Sequence, residues 1–176
     1  MSNRQSLGQA LKCFANPRKR QAYFHLYSED IVLHGYQGVE PGLESVKQFY
    51  NGFWEIFPDA QVTIQELIEV EEDDTLVVRY VITGTQQKEF MGIAAIGQRI
   101  ELPGISILHF RNGRCFGRWT CSDSLLLFDQ VGGQVTPYIL TKSHSTSRAG
   151  STPRRCSFDL SRALLESQCV TNAWRV

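Results

Sequence analysis

The amino-acid sequence predicts an α+β domain in which helices come first and an antiparallel sheet follows. Helical spacing of apolar residues dominates the first third of the chain, and strand-like alternation dominates the stretch from Asp59 to Cys121. Helices and strands segregated in this way pack with the helices on one face of the sheet. The chain has 176 residues, 42% of them hydrophobic, which is enough apolar mass for a single core.

Four helices are predicted from local sequence. Residues 6–15 and 18–28 have helical composition and are separated by an Asn-Pro pair, which ends one helix and can begin the next. The strongest helical period occupies 43–57, where apolar residues recur every three or four positions until Pro58. A last helix is predicted at 124–130, before a Gly-Gly pair that can cap it.

Strands are predicted where apolar and polar residues alternate, at 31–36, 62–67, 76–83, 98–110 and 114–122. In the second of these, Val62, Ile64 and Glu66 are expected to share one face. The acidic run at 71–74 is typical of a solvated hairpin turn, since four adjacent carboxylates lack the spacing of cation ligands.

The turn between the last two strands sets which residues share a face. A three-residue loop at 111–113 makes Phe110 oppose Arg114, and Ser106 and Thr120 become diagonal neighbours on one face. A two-residue turn would place those two on opposite faces. The first face then holds Gly104, Ser106, Leu108, Phe116, Arg118, Thr120 and Ser122. The other holds Ile105, Ile107, His109, Cys115, Trp119, Cys121 and Asp123, and is apolar enough to predict contact with a second subunit.

Composition argues against several classes of partner and cofactor. Lys plus Arg equals Asp plus Glu at 18 each, so the net charge gives no reason to expect nucleic acid or an anionic membrane. No apolar run is long enough for a membrane span or a signal peptide, and we expect a soluble, cytoplasmic protein. Five widely spaced cysteines, with no CxxC pair, predict neither a zinc site nor a disulfide scaffold, and we expect no metal and no cofactor.

The chain divides at about residue 133. Residues 1–133 form the predicted domain, and 134–176 form a basic tail rich in Ser and Thr. The tail's composition predicts disorder for most of its length, apart from a short amphipathic pattern near 158–165.

Several segments of the domain occur in the order of a known family. The most distinctive series is Glu89-Phe90-Met91-Gly92-Ile93, then Gly104-Ile105-Ser106-Ile107, then the Asn112-Gly113 turn. Further matching segments are Ser28 to His34, Phe49-Tyr50, Phe57-Pro58-Asp59, Gly84-Thr85, Gly97, Leu108 to Phe110, Trp119, Asp123 and Gln130 to Gly132. In these segments the chain resembles the SnoaL-like polyketide cyclase family of the nuclear transport factor two-like superfamily.

The resemblance implies a cone-shaped, curved antiparallel sheet, closed by the N-terminal helices around an apolar pocket, and commonly a homodimer. It implies ring closure by aldol condensation without metal or cofactor, using an acidic residue on the last strand and a histidine on its neighbour. The matching positions here are Thr120 and Ser106. Their hydroxyls cannot shuttle protons near pH 7, so the family's usual acid–base pair is absent.

Other polar residues are therefore the candidates for catalysis. His34 and Asp123 are candidate bases, and their substitution is predicted to abolish turnover if either is one. Arg118, with Tyr50 or Thr120, is a candidate donor to an oxyanion. Each has a structural alternative: a hydrogen-bonded histidine for His34, a helix N-cap for Asp123, and an ion pair for Arg118.

The candidate substrate-binding residues are those expected to line a cavity between helix and sheet, namely Tyr23, Tyr27, Tyr50, Trp54, Phe90, Met91, Ser106 and Thr120. The aromatic members are equally typical of an ordinary core. The sequence therefore favours a cofactor-independent cyclase or isomerase, working by proton transfer on a hydrophobic polyketide- or terpenoid-like molecule. The alternative is a non-catalytic small-molecule-binding or dimerisation module of the same fold.

Overall fold

The structure is a computed structural model and describes residues 2–133. The tail predicted at 134–176 lies outside the described residues. The helices are α1 (Asn3–Phe14), a 3₁₀ helix (Arg20–Leu26), α2 (Leu43–Ile56) and α3 (Ser124–Gln130). The strands are β1 (Tyr27–His34), β2 (Gln61–Val70), β3 (Thr75–Thr85), β4 (Arg99–Arg111) and β5 (Arg114–Ser122).

Local sequence placed most of these elements correctly. The predicted bounds of β5 and α3 agree with the structure, and Asp123 caps α3 by accepting a hydrogen bond from the backbone N–H of Leu126 at 2.9 Å. The segment predicted as a helix at 18–28 is instead a 3₁₀ helix. It has no side-chain N-cap, and β1 takes over at Tyr27.

The five strands form one sheet in the order β1-β5-β4-β3-β2. Pairs within β2 to β5 are antiparallel, as predicted, but β1 pairs with β5 in parallel, so the sheet is mixed. Parallel pairing is open to β1 because a long stretch of chain separates it from β5, whereas a short hairpin allows only the antiparallel arrangement.

The helices cover one face of the sheet, which we call the inner face. Side chains of α1 and α2, such as Phe14 and Trp54, share one buried cluster with Val78, Leu102 and Leu108 from the strands. The predicted α+β class is confirmed. The sheet is open, with β1 and β2 at its edges, and is not closed into a barrel.

The β4–β5 hairpin corrects the predicted turn while keeping the important face. Asn112 and Gly113 both have positive φ, of 53° and 74°, and make the two-residue turn that Asn-Gly favours. The prediction that a two-residue turn would place Ser106 and Thr120 on opposite faces was wrong, because a bulge inserts Phe116 between Cys115, which pairs with Phe110, and the residues that follow.

The bulge reverses the predicted faces of Cys115 and Phe116, and it makes Ser106 and Thr120 direct cross-strand partners. Cys115 is buried on the inner side, whereas Phe116 packs outside against Arg111, with the guanidinium 4.7 Å from the ring centroid. Ser106 and Thr120 still share the inner face, but they are direct partners and not diagonal neighbours, and their hydroxyl oxygens are 2.8 Å apart.

A second bulge lies in β2. The register shifts between Ile64 and Glu66, so Gln65 is the extra residue. Leu67, rather than Glu66, therefore packs against the core with Val62 and Ile64. Strict alternation predicted the reverse because a bulge exchanges the two faces beyond it.

Two connections complete the frame. The acidic run closes the β2–β3 hairpin as a short 3₁₀ turn followed by Asp74 in the left-handed region, as the turn interpretation predicted. The β3–β4 connection carries a tight turn at Met91-Gly92, and the buried amide of Gln86 holds it by donating to the carbonyl oxygens of Lys88 and Ile93.

Candidate functional site

A cleft of about 690 Å³ lies between the inner face of the sheet and the helices. Apolar side chains from α1, α2, the strands and the β3–β4 connection form most of its lining, among them Leu11, Phe49, Ile82, Phe90 and Leu108. Arg118 is the one charged side chain in the lining contributed by residues 2–133. A volume of this size suits a small organic molecule.

Arg118 is held in place from several elements. Its Nη1 donates to the hydroxyls of Tyr27 and Tyr50, each at 2.9 Å, and lies 3.4 Å from that of Tyr23. Its Nε and Nη2 donate to the hydroxyl oxygen of Ser106, at 3.2 and 3.1 Å. The 3₁₀ helix, β1, α2 and β4 therefore each fix one side of the guanidinium, and its position depends on the tertiary fold.

A chain of hydroxyl groups extends from the guanidinium along the cleft. Ser106 bonds Thr120 at 2.8 Å, Thr120 bonds Tyr36 at 3.3 Å, and Tyr36 bonds Tyr50 at 3.2 Å. Every oxygen in this chain belongs to a hydroxyl, with no carboxylate or carbonyl among them. The polar part of the cleft is consequently rich in hydrogen-bond donors.

The electrostatics of the cluster keep the guanidinium charged and the phenols neutral. Burial raises the pKa of Tyr23, Tyr27, Tyr36 and Tyr50 above their ordinary value, against the opposing influence of Arg118. Burial alone would lower the pKa of Arg118, but the surrounding tyrosines raise it well above its usual value. Near pH 7 the cluster is therefore one cation surrounded by neutral hydroxyl groups.

Arg118 has no carboxylate partner within the part of the chain that the structure describes. The four ion pairs found there join side chains at the surface, as in Arg79 with Glu66 and Arg111 with Asp30. The alternative that Arg118 serves an ion pair is thus not realised among residues 2–133.

The structure brings most of the predicted site residues together. Those that line the cleft are Tyr23, Tyr50, Phe90, Met91, Ser106, Arg118 and Thr120. Tyr27 does not line the cleft, but its hydroxyl supports Arg118 from behind. Trp54 packs behind Tyr23 and Tyr50, with Arg20 over its ring at 5.0 Å, and belongs to the core.

The two candidate bases are not part of the cleft lining, although residues next to each of them are. His34 is on the opposite side of the sheet, which we call the outer face, where its ring stacks on Trp119 at 3.7 Å between centroids. Burial, followed by the nearby His109, lowers the pKa of His34. Asp123 is the exposed N-cap of α3. Direct proton transfer by either side chain would need a contact with the cleft that these positions do not give.

Sequence reasoning missed two tyrosines of the site. Tyr36 follows β1 and links Thr120 to Tyr50, and Tyr80 lies on β3, 3.5 Å from the Ser106 hydroxyl. The alternation of Leu76, Val78 and Tyr80 could have placed Tyr80 on the inner face. No local signal marks Tyr36, because a turn through Gly35 brings it over the cleft.

The chemical capacity of the cleft is donation of hydrogen bonds and stabilisation of negative charge. A guanidinium and several phenols converge on a space lined by apolar side chains, which is the arrangement that stabilises an oxyanion. No histidine or carboxylate lies in the described lining. Cys115 is buried beneath it, and burial raises the pKa of its thiol to about 12, which is typical of an inert cysteine.

No cluster of three or more His, Cys, Asp or Glu side chains within 2–133 has the geometry to hold a metal ion. In the same range, none of the helices combines the length and the apolar character that crossing a membrane requires.

Comparison with known proteins places the chain among relatives of one fold. The sequence profile described as SnoaL-like polyketide cyclase matches residues 5–131. AclR from Streptomyces galilaeus, a proposed hydroxylase, superposes with a TM-score of 0.64 at 24% identity, over 74% of this chain and 95% of AclR. IdmH from Streptomyces antibioticus, a proposed polyketide cyclase, gives 0.63 at 24%, over 75% and 99%.

TsrD from Streptomyces laurentii gives a TM-score of 0.61 at 26% identity, covering 74% of this chain and 98% of TsrD. These three likenesses support the fold and leave the chemistry to the residues of the cleft. No protein with a curated description is similar enough to count as a match.

Proposed function

The chain belongs to the SnoaL-like polyketide cyclase family, and from this premise we propose that it is a cofactor-independent cyclase- or isomerase-type enzyme. Its substrate is a hydrophobic polyketide- or terpenoid-like molecule that occupies the cleft between the helices and the sheet. The observation that carries the proposal is the Arg118 guanidinium, held among tyrosine hydroxyls in an otherwise apolar space. The cone shape and ligand pocket implied by the family resemblance belong to the same proposal.

In this mechanism Arg118 binds the oxygen of an enolate. A carbon next to a carbonyl group loses a proton, the resulting enolate carbon attacks a second carbonyl carbon of the same molecule, and a carbon–carbon bond closes the ring. The new alkoxide gains a proton, so the proton lost at carbon is balanced by one gained at oxygen. Arg118 and the neutral tyrosines stabilise charge that is larger in the transition state than in the neutral ketone.

The proton acceptor in this proposal is not a side chain of the described lining. Substitution of the family's acid and histidine by Thr120 and Ser106 leaves hydroxyl groups, which donate to oxygen but are poor bases near pH 7. Water, or a basic oxygen of the substrate itself, takes the proton. The protein lowers the free energy of the resulting anion.

A direct test follows the exchange of protons at carbon. Naphthyl-substituted ketones and β-diketones are incubated with the protein in D₂O, exchange at the carbon next to the carbonyl is followed by NMR, and ring-closed products by mass spectrometry. We expect exchange to be faster with the protein than in buffer. Arg118→Gln is expected to slow the protein-dependent exchange by about a hundredfold, the usual cost of losing an oxyanion donor.

Arg79→Gln is the matched control, because it removes the same charge from an exposed position on β3 that is paired with Glu66. It is expected to exchange protons as the wild type does. Equal exchange in Arg118→Gln and the wild type would contradict the role of Arg118.

The non-catalytic alternative is favoured by one observation, the replacement of the family's acid–base pair by Thr120 and Ser106. A binding or dimerisation module predicts that a small molecule is retained without conversion. Native mass spectrometry before and after denaturation tests this, since an unaltered apolar compound, together with no proton exchange, would support the module over the enzyme.

We also propose a homodimer formed through the outer face. Large apolar side chains are exposed there on β2, β4 and β5, including Ile68 at 52%, Ile105 at 49% and Trp119 at 50%. Contiguous apolar surface of this kind on a sheet marks a protein contact. A second copy of the chain would cover it without touching the cleft.

A further inference from the structure

Not every hydrogen of the Arg118 guanidinium has an acceptor in the described part of the chain. A guanidinium has five N–H groups. One on Nε and one on Nη2 go to Ser106, and the two on Nη1 go to Tyr27 and Tyr50. The second hydrogen on Nη2 has no acceptor among residues 2–133.

The hydroxyl groups show the same surplus. Seven hydroxyls, those of Tyr23, Tyr27, Tyr36, Tyr50, Tyr80, Ser106 and Thr120, are joined by five contacts at hydrogen-bond distance. Ser106 and Thr120 have one hydrogen each for the three contacts that join them to each other, to Tyr80 and to Tyr36. At most four of the five bonds therefore form at once, and three O–H hydrogens remain without an acceptor in this set. The contact between Tyr36 and Tyr50 uses one of their two hydrogens, and either hydroxyl can be the donor. When Tyr50 donates, the hydrogen of Tyr36 is free to bind a ligand in the cleft, which Tyr36 lines.

The cluster also carries an uncompensated positive charge. The tyrosines do not act as its counter-ion near pH 7, because burial raises their pKa values and keeps them neutral. Arg118 is half-buried, and a cation held among neutral groups without an anionic partner is costly to desolvate. A neutral carbonyl ligand would fill the hydrogen-bonding gap but leave the charge unpaired. A dianion such as phosphate would bring a second negative charge, and the described lining holds no second cation.

We infer that the cleft binds its substrate as an oxygen monoanion, with the charge delocalised over a carboxylate or an ionised β-dicarbonyl and held by Arg118 and Tyr36. The inference rests on the proposed function and narrows its substrate class to hydrophobic acids. It also accounts for the lack of a base in the described lining. A β-dicarbonyl compound is acidic enough to arrive as its own enolate, so the nucleophile for ring closure is formed in solution or on binding.

Two matched pairs of probes test the charge of the bound ligand. Naphthoic acid is compared with naphthamide, and a naphthyl β-diketone with the corresponding monoketone, by calorimetry at pH 7 on the full chain. We expect each acidic member to bind at least about tenfold more tightly than its neutral partner, as for hydrogen bonds to a charged group. The diketone should show the ultraviolet absorbance of its enolate at a pH where the free compound is neutral. Which of the two acids binds distinguishes a carboxylate from a β-dicarbonyl substrate.

The preference for acidic probes over their neutral partners should depend on Arg118. In Arg118→Gln the acid and its neutral partner are expected to bind within about twofold of each other, whereas Arg79→Gln keeps the wild-type ratio. If Arg118→Gln does not fold, Tyr36→Phe carries the test, because it removes one surplus hydrogen and leaves the charge. It should reduce the preference about three- to tenfold.

Three other outcomes would contradict the anion site. Neutral probes that bind as tightly as the acids, while proton exchange at carbon still occurs, would overturn the anion site and leave the proposed enzyme standing. A preference for acids that survives Arg118→Gln would also overturn it. Failure of all four probes to bind would count against the anion site and the ligand cleft together.

Discussion

On the inner face of the sheet, a permanently charged guanidinium and neutral phenols surround a cleft, whereas on the outer face two histidines lie among exposed apolar side chains. His34 stacks on Trp119, and the Nδ1 atom of His109 lies 3.0 Å from the hydroxyl of Thr75. Both imidazoles are thus separated by one sheet thickness from the space where a substrate would bind. Arg118 and Trp119 are consecutive in sequence and belong to different faces.

Residue type alone is therefore a weak guide to a site built on a sheet. Histidine is the residue first considered for proton transfer, and here His34 lies where it meets a tryptophan. Arginine is most often a surface residue, and Arg118 lines the cleft. The alternation of side chains across the strand, corrected for bulges, decides which residues can act together.

The largest loss of stability is expected from a substitution at Gly35, where the backbone passes close to Thr120. This residue has φ of +84°, and a Cβ atom there would lie 2.0 Å from the carbonyl oxygen of Thr120. Gly35→Ala should reduce the free energy of unfolding by about 3 kcal/mol or more, measured by urea denaturation. Gly38→Ala is the matched control, with φ of +75° and no heavy atom within 4 Å, and should cost about 1 kcal/mol. Equal losses in the two variants would mean that the contact with Thr120 is unimportant.

The next largest effect is expected on dimerisation through the outer face. Ile105→Lys places a charge in the proposed dimer contact and should shift the protein from dimer to monomer, measured by sedimentation velocity. Ligand binding in the cleft should be unchanged, because Ile105 points away from it. Ile96→Lys is the control, since Ile96 is 70% exposed in the β3–β4 connection and is expected to leave the dimer intact. A wild-type protein that is monomeric at high concentration would remove the dimer proposal.

A smaller effect on stability is expected at alkaline pH, from the tyrosines of the inner face. Burial raises the pKa of Tyr23, Tyr27, Tyr36 and Tyr50, so above pH about 10 the unfolded state loses protons that the folded state retains. Stability should therefore fall as the pH rises past that value. In a spectrophotometric titration these four tyrosines should ionise together with unfolding, while urea-unfolded protein titrates at the ordinary pKa. Smooth ionisation of all the tyrosines in the folded protein would contradict this.

The smallest effect on stability is expected at acid pH, from His34 on the outer face. Burial and His109 lower the pKa of His34, so below pH about 6.5 the unfolded state binds a proton more readily than the folded state. The stability associated with neutral His34 should fall as the pH drops through this range. His34→Gln should flatten the dependence of Tm on pH between 7 and 5, and His25→Gln, at an exposed position, should not. An unchanged slope in His34→Gln would show that its titration is not linked to folding.

Much of the fold could be predicted because its determinants are local. The Asn-Gly turn, the glycine after α3, the cap at Asp123 and the helical period before Pro58 each act through neighbouring residues. The prediction that Ser106, Arg118 and Thr120 share one face is also correct, although the β4–β5 turn is one residue shorter than expected. The bulge at Phe116 compensated for that error, and no local pattern announces it.

The fold class, the order of the elements and the family follow from the sequence alone, because they depend on periodicity, turn chemistry and short-range motifs. The polar groups of the cleft, in contrast, are brought together by folding. Tyr23, Tyr36 and Tyr50 come from three separate segments and meet Arg118 through contacts that span up to 95 residues of sequence. The charge and hydrogen-bonding capacity of the cleft depend on that convergence, and a side chain's neighbours across such distances are set by packing and strand register rather than by its own segment.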